Sequence, residues 1–212
     1  MSIWMDPHGR LHDTEQGNQF VEKGDVAGLS ALLANNLSIE TKLGIKENVD
    51  KTSYKTSYSY ISRQTMDGSL ESQRAKDYIL TQGRGLGKAD KLTKEQEEVL
   101  GIIDQKSVEL EEDMLLHRTD DSHWLEDSSV GDIKPIQNIM MASRDSRIVI
   151  PENEGKVIQE LYIRAPKGTR VFAPGAGSEE EIDIVRGQRY RINEKTYDRI
   201  NRKFIYTLQM LR

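Results

Sequence analysis

A change of hydrophobic period near residue 113 is the feature that most constrains how this chain folds. Before it, Ser69 and Thr93 stand at the N-cap positions of two amphipathic helix patterns, over residues 70–81 and 94–106. After it, apolar and polar residues alternate in short segments, as half-buried strands do, at 114–119, 136–143, 156–164, 170–173, 181–185, 188–193 and 204–210. Helices followed by a series of short strands predict an α+β fold with a mostly antiparallel sheet, not a doubly wound fold.

The first 55 residues are predicted to form a helical N-terminal extension or linker, and residues 56–212 the main domain. Within the extension, Asp25 is placed to cap a short helix that ends near Asn36 and carries apolar residues on one face. Residues 51–60 contain a repeat of Lys-Thr-Ser-Tyr, which fits either a strand or an adhesive linker. The first ten residues lack the cationic and apolar regions of a secretory signal.

The composition excludes several kinds of site. The chain of 212 residues contains no cysteine, so disulfides, thiol nucleophiles and cysteine-ligated metals are excluded. No apolar run approaches the ~20 residues of a membrane-spanning helix, and the lack of cysteine fits a reducing cytoplasm. His8 and His12 have the i, i+4 spacing of a metal pair, but Pro7 and Gly9 disfavour the necessary helix, so we expect no metal.

Charge is distributed unevenly along the chain, whose net charge is −5. Residues 95–132 hold thirteen acidic and two basic residues, whereas residues 161–212 hold eleven basic and six acidic residues. A basic C-terminal part suits an anionic partner such as a dinucleotide, a nucleic acid or an acidic protein. It can equally pair with the acidic middle of the same chain, and we favour this internal compensation.

A glycine-rich segment, Gly83-Arg-Gly-Leu-Gly-Lys88, resembles a phosphate-binding loop at first sight. Such a loop needs a glycine, four further residues and then Gly-Lys-Ser/Thr. Here Gln82 stands at the first position and Ala89 at the last, so the pattern fails. We therefore predict an ordinary loop after the helix over residues 70–81.

The segment from Gly175 to Gly187 holds the candidate catalytic residues. It is a glycine-rich stretch that ends in three consecutive glutamates at the start of a strand pattern. In an extended chain Glu179 and Glu181 lie on the same side. Two carboxylates in this position can hold a hydroxyl group and stabilise developing positive charge, as in the cleavage of a glycosidic bond. The alternative is a solvated acidic turn, which the spacing alone favours.

With this order of elements, residues 60–212 resemble the mono-ADP-ribosyltransferase family of the Arg-Ser-Glu type, which includes exotoxin-like and bacteriophage proteins. The best matching stretches are Leu161-Tyr-Ile-Arg-Ala-Pro-Lys-Gly-Thr169 and Ser178-Glu-Glu-Glu-Ile-Asp-Ile-Val-Arg-Gly-Gln-Arg-Tyr-Arg-Ile192. In that family the same order is a strand, a turn, a target-recognition loop and a Glu-x-Glu motif. The resemblance implies a two-sheet core with Glu181 in the catalytic place and Glu179 beside the nucleophile.

A second element of the resemblance is Leu116-His-Arg-Thr119, which is similar to the family's first strand. It implies that Arg118 contacts the phosphates of NAD, a role that suits a guanidinium because it binds phosphate oxygens bidentately. The alternative is an arginine at a strand end that pairs with Asp120 or Asp121.

A third element departs from the family, which usually has Ser-Thr-Ser on its next strand. Here the aligned stretch is Ile139-Met-Met-Ala-Ser143, in which Ser143 remains and Met141 replaces the first serine. That serine normally supports the catalytic glutamate and the nicotinamide-side ribose. Its loss implies weaker catalysis, a substitute hydroxyl such as that of Ser146, or a different alignment.

The resemblance implies an enzyme that uses NAD as its substrate and transfers ADP-ribose to a protein of a host cytoplasm. Paired glutamates imply arginine as the acceptor, and Phe172 is either the aromatic contact of the target-recognition loop or a core residue. Modification of a nucleic acid is another reading, which the basic C-terminal part allows. A non-catalytic interaction protein on the same fold, such as a virion component of a phage, is the main alternative, favoured by the missing serine and the extension.

Overall fold

The computed structural model describes residues 54–144, 158–175, 180–198 and 202–211, together with three short strands before residue 21. The chain divides into two compact units, Met1–Asn48 and Val49–Arg212. In the first unit, strands β1 (Ile3–Met5), β2 (Leu11–Asp13) and β3 (Gln19–Phe20) form an antiparallel sheet. The helix predicted over residues 25–36 lies outside the described residues, and the domain boundary after residue 55 stays a prediction.

The second unit begins with helical elements. A 3₁₀ turn (Tyr54–Thr56) precedes α1 (Tyr58–Thr65), α2 (Leu70–Lys88) and α3 (Lys94–Lys106). The predicted N-caps are confirmed, since the side chain of Ser69 accepts a bond from the N–H of Ser72, and Thr93 forms a capping box with Gln96. Neither a strand nor a linker covers residues 54–60, because Ser57 caps α1 there through a bond from the N–H of Tyr60.

Two sheets follow, the arrangement that the resemblance implies. The four-stranded sheet has the order β4 (Val108–Glu109), β9 (Arg170–Phe172), β10 (Asp183–Val185), β7 (Ile139–Met140). The five-stranded sheet has the order β5 (Met114–Asp120), β8 (Gln159–Ala165), β12 (Lys203–Leu211), β11 (Arg189–Asp198), β6 (Ile133–Pro135). Only β8 and β12 pair in parallel among these strands, so the expected α+β class with mostly antiparallel sheets is confirmed. None of the helices among the described residues is long and apolar enough to cross a membrane.

The loop predicted at Gly83–Lys88 is wrong, because α2 continues through it. Its glycines allow the helix to pack closely against the four-stranded sheet. A Cβ on Gly83 would lie 2.7 Å from the Sδ of Met141, and one on Gly87 would lie 3.2 Å from the carbonyl oxygen of Ile139. The glycines therefore serve a close helix–sheet contact, which outweighs their low helix propensity.

The four-stranded sheet is covered on both faces. Ile182 and Ile184 belong to the larger apolar cluster, which the five-stranded sheet shares. Val185 and Phe172 belong to a second cluster with residues of α2 and α3. Phe172 is completely buried there, so its interpretation as an aromatic contact for a target is wrong and its interpretation as a core residue is confirmed. The second cluster also brings Arg186 to α3, where it pairs with Glu97 and Asp104 and confirms internal charge compensation at this point.

Candidate active site

Residues 142–143 join the two sheets at the candidate site. Ser143 bridges antiparallel to His117 of β5 on one side and to Glu181 on the other. The backbone N–H of His117 donates to the carbonyl oxygen of Ser143 at 2.7 Å, and the bond in the reverse direction has the same length. Because directly opposed residues of an antiparallel pair project to the same face, the side chains of His117, Ser143 and Glu181 share one face. The structure thus brings together two of the predicted site residues, Ser143 and Glu181.

Tyr162 extends this row onto the next strand. It stands opposite His117 in the β5–β8 register, and the two rings meet edge to face with centroids 4.9 Å apart. The hydroxyl of Tyr162 donates to Glu160 at 2.7 Å. The sequence reasoning did not select His117 or Tyr162; the available signal was that each is a polar residue in an alternating strand and that His117 precedes Arg118.

Arg118 projects to the opposite face of β5 from His117, since successive strand residues alternate. Its side chain is 14% exposed, and its Nη2 donates to the Oδ2 of Asp120 at 2.6 Å. Its Nη1 donates to the carbonyl oxygen of Met141 at 3.0 Å. The alternative interpretation, an ion pair with Asp120, is therefore what the structure shows for Arg118. Arg118 thus contacts the segment that leads to Ser143, but its bonds are to groups of the protein.

Asp120 is a buried carboxylate with several donors. Besides the bond from Arg118, it accepts hydrogen bonds from the hydroxyl of Ser122 at 2.7 Å and from the indole N–H of Trp124 at 3.1 Å. The ammonium of Lys88 lies 3.2 Å away. Burial alone raises the pKa of Asp120, but the charge of Arg118 and the hydrogen bonds together hold it well below its usual range. Asp120 is therefore ionised at neutral pH and fixes the position of Arg118.

Asp183 is a buried carboxyl group that the sequence reasoning did not select. It lies in β10, two residues after Glu181, and is 0% exposed. Burial raises the pKa of Asp183 well above its usual range, the carboxylate of Glu181 raises it further, and Arg118 opposes the shift. Burial and the neighbouring Glu181 thus both favour the protonated form of Asp183. The signal for it was a single acidic residue between Ile182 and Ile184 in an apolar strand.

The acidic segment before β10 is described only from Glu180 onward. Glu179, the second predicted catalytic glutamate, lies outside the described residues. Glu180 has a φ of 43°, a left-handed conformation, and its carbonyl oxygen accepts a bond from the N–H of Arg144 at 3.2 Å. Glu181 follows, half-buried, where the chain becomes extended. This turn carries the chain out of the glycine-rich stretch and into the four-stranded sheet.

The two sheets joined at Ser143, with helices packed on one of them, have the fold of the ADP-ribosyltransferases. The C3 exoenzyme of Clostridium limosum is similar with a TM-score of 0.59, 14% identity and coverage of 78% of this chain and 98% of that one. C3stau2 from S. aureus, in a structure with NAD, has a TM-score of 0.51 at 15% identity, covering 73% and 94%. Exoenzyme S from Pseudomonas aeruginosa, in complex with human 14-3-3 protein beta and carba-NAD, has a TM-score of 0.54 at 12% identity, covering 68% and 77%.

The similarity to these proteins lies in their three-dimensional structure. The sequence matches no protein-family model and no curated protein. At the identities found, the similarity shows the fold, and the chemistry has to be argued from the residues at the junction of the sheets.

Proposed function

We propose that the protein is an NAD-dependent mono-ADP-ribosyltransferase that modifies a protein on arginine. The observation that carries the proposal is the paired position of Ser143 and Glu181 where the two sheets join, with Arg118 bonded to the carbonyl oxygen of Met141 two residues before Ser143. The fold is shared with proteins whose structures contain NAD or carba-NAD. A protein of a host cytoplasm is the proposed target, and a phage is the proposed source.

Glu181 is the proposed catalytic residue. A half-buried carboxylate at the sheet junction can accept a hydrogen bond from the 2′-hydroxyl of the nicotinamide ribose. It also stabilises the positive charge that develops at the anomeric carbon as nicotinamide leaves. Ser143, directly opposite, can support this carboxylate and the ribose. Glu179 is the proposed partner of the arginine nucleophile, which it orients or deprotonates.

The guanidinium of Arg118 has the chemistry to bind the pyrophosphate of NAD, but some of its hydrogen-bond donors already have partners in the protein. A guanidinium has five N–H donors, and Arg118 directs Nη1 and Nη2 to Met141 and Asp120 while its buried Nε has no acceptor among the described residues. To bind a phosphate, Arg118 would use its remaining donors or exchange Asp120 for the phosphate. The pairing with Asp120 holds the guanidinium in place until then.

The test is release of nicotinamide and transfer of label from labelled NAD to a bacterial lysate. The Glu181→Gln variant keeps the shape of the side chain and removes its charge, so we expect at least a ~100-fold loss of turnover. Glu180→Gln is the matched control, because it makes the same change one residue earlier, and it should keep its turnover. Digestion of the labelled product with protease or nuclease identifies the acceptor as protein or nucleic acid. Equal turnover by both variants would exclude Glu181 from catalysis.

The second candidate is a non-catalytic interaction protein on the same fold. The observations that favour it are the engagement of Arg118 by Asp120 and the methionine at position 141. This candidate predicts no turnover by the folded wild-type protein and no change of its melting temperature with added NAD. Stabilisation by NAD without turnover would show that the protein binds the nucleotide but does not catalyse the transfer.

A further inference from the structure

Glu181 and Asp183 form a pair of carboxyl groups on one extended segment. They are two residues apart, so their side chains project to the same face. Asp183 is 0% exposed, and no N–H or O–H of the described residues donates to either of its carboxyl oxygens. The carboxyl group of Glu181, on the same face of this segment, acts on Asp183 and raises its pKa. Glu181 is therefore the candidate acceptor for a proton held by Asp183.

Two carboxyl groups can form a hydrogen bond only when one of them carries a proton. The proton belongs on Asp183, because an ionised carboxylate without donors is very costly at zero exposure, whereas Glu181 is half-buried. The charged groups that act on Asp183 among the described residues are Glu181, on its own segment, and Arg118, on β5. Arg118 is committed to Asp120, so its charge does not replace the missing donor.

Burial of a carboxyl group at the position of Asp183 is energetically unfavourable. Its neighbours Ile182, Ile184 and Val185 are completely or almost completely buried in the two apolar clusters. A β-branched apolar residue would fill a strand position of this kind without the cost of burying a polar group. A contribution to stability thus does not explain Asp183, whereas its contact with Glu181 does.

We propose that Asp183 is a positioning residue that donates a hydrogen bond from its carboxylic acid to the carboxylate of Glu181. The bond fixes the orientation of the Glu181 carboxylate towards the 2′-hydroxyl of the ribose. This inference rests on the proposed function, in which Glu181 is catalytic. It also gives the site a pH limit, since loss of the proton from Asp183 places two carboxylates side by side.

The test compares Asp183→Asn with Asp183→Val in the full chain. An asparagine amide donates the same hydrogen bond at every pH, so Asp183→Asn should keep kcat within about threefold and lose the alkaline decline of the wild-type pH profile. Valine removes the donor, so Asp183→Val should lose at least about tenfold in kcat, the equivalent of one hydrogen bond. Its KM for NAD and its melting temperature should stay at or above those of the wild type.

The proposal is overturned if valine keeps the kcat of the wild type, or if asparagine loses as much as valine. It is also overturned if the alkaline decline is the same in the asparagine variant. A wild-type protein with no turnover would refute the proposed function, and infrared spectroscopy then tests the pair by itself. A protonated carboxyl band at neutral pH should disappear in Asp183→Asn and shift in Glu181→Gln. Absence of that band would exclude the proton between the two residues.

Discussion

Asp120 and Asp183 occupy equivalent places on two different sheets, yet their pKa values are shifted in opposite directions. Each lies two residues after a candidate site residue on an extended segment, and their exposures are 5% and 0%. Asp120 follows Arg118 and receives donors from three elements, whereas Asp183 follows Glu181 and has no donor among the described residues. The pKa of Asp120 is accordingly lowered and the pKa of Asp183 is raised.

The opposite pKa shifts of these two buried aspartates indicate that burial does not by itself decide whether a carboxyl group is ionised. Burial raises the pKa of both aspartates, and the neighbouring charge then reverses or reinforces that shift. One side of the site is therefore held by an ion pair, between Arg118 and Asp120. On the other side, the proposed contact is a hydrogen bond from the protonated Asp183 to Glu181. Substitutions at the two aspartates should have different consequences.

The largest expected effect is that of Asp120→Ala. It leaves Arg118 buried without its counter-ion, which typically costs about 3–5 kcal/mol of unfolding free energy. Urea denaturation at neutral pH measures the loss. Asp121→Ala is the control, because Asp121 is exposed and also pairs with Lys88; it should cost less than ~1 kcal/mol. Equal losses in the two variants would show that Arg118 does not depend on Asp120 and would end the contrast with Asp183.

A smaller effect is expected in the pH dependence of stability, with opposite signs at the two aspartates. The usual pKa is 3.8 for both. Because the folded pKa of Asp183 is raised, its contribution is complete below 3.8 and is lost as the pH rises towards its folded pKa. Because the folded pKa of Asp120 is lowered, its contribution is complete above 3.8 and is lost as the pH falls further.

Urea titrations from acidic to alkaline pH measure these slopes. Asp183→Asn should gain stability relative to the wild type as the pH rises above 3.8, and Asp120→Asn should remove part of the loss below 3.8, by up to about 1.4 kcal/mol per pH unit. The contrast between the aspartates fails if both variants change the slope with the same sign.

The smallest expected effect is that of Lys88→Met. The ammonium of Lys88 lies 3.2 Å from Asp120 and 3.0 Å from Asp121, but the side chain is 45% exposed, so solvent screens the pairs. We expect a loss of about 0.5 kcal/mol in the same denaturation experiment. Lys94→Met, at an almost fully exposed position of α3, should cause no measurable change. A loss as large as that of Asp120→Ala would show that Lys88, and not Arg118, is the main partner of Asp120 on this side of the site.

Local features of the chain were predictable because their causes lie within a few residues. The caps at Ser69 and Thr93 and the alternation of the strands depend on neighbours in sequence, and the structure confirms them. The resemblance also selected Ser143 and Glu181, which the structure places opposite each other. Their catalytic roles stay predictions.

The incorrect predictions have distant causes. The glycines of α2 indicated a loop, but they are explained by Met141 and Ile139, which lie more than fifty residues away along the chain. The sequence allowed Phe172 to be a surface contact, but in the structure the residue is packed against α2 and α3. Residues 54–60 fitted a strand or a linker, and the cap at Ser57 makes most of them helical.

The sequence predicted the starts of two helices and the alternating strands, because caps and periodicity act over one or two turns. The interactions of the charged residues became visible only in the folded structure. Asp120 lies close to Arg118 in the chain, and Asp183 lies close to Glu181, but the protonation of the two aspartates depends on burial and on groups brought close by folding, Lys88 for Asp120 and Arg118 for Asp183. Electrostatic interactions depend on distance in space and on the loss of water, and folding sets both.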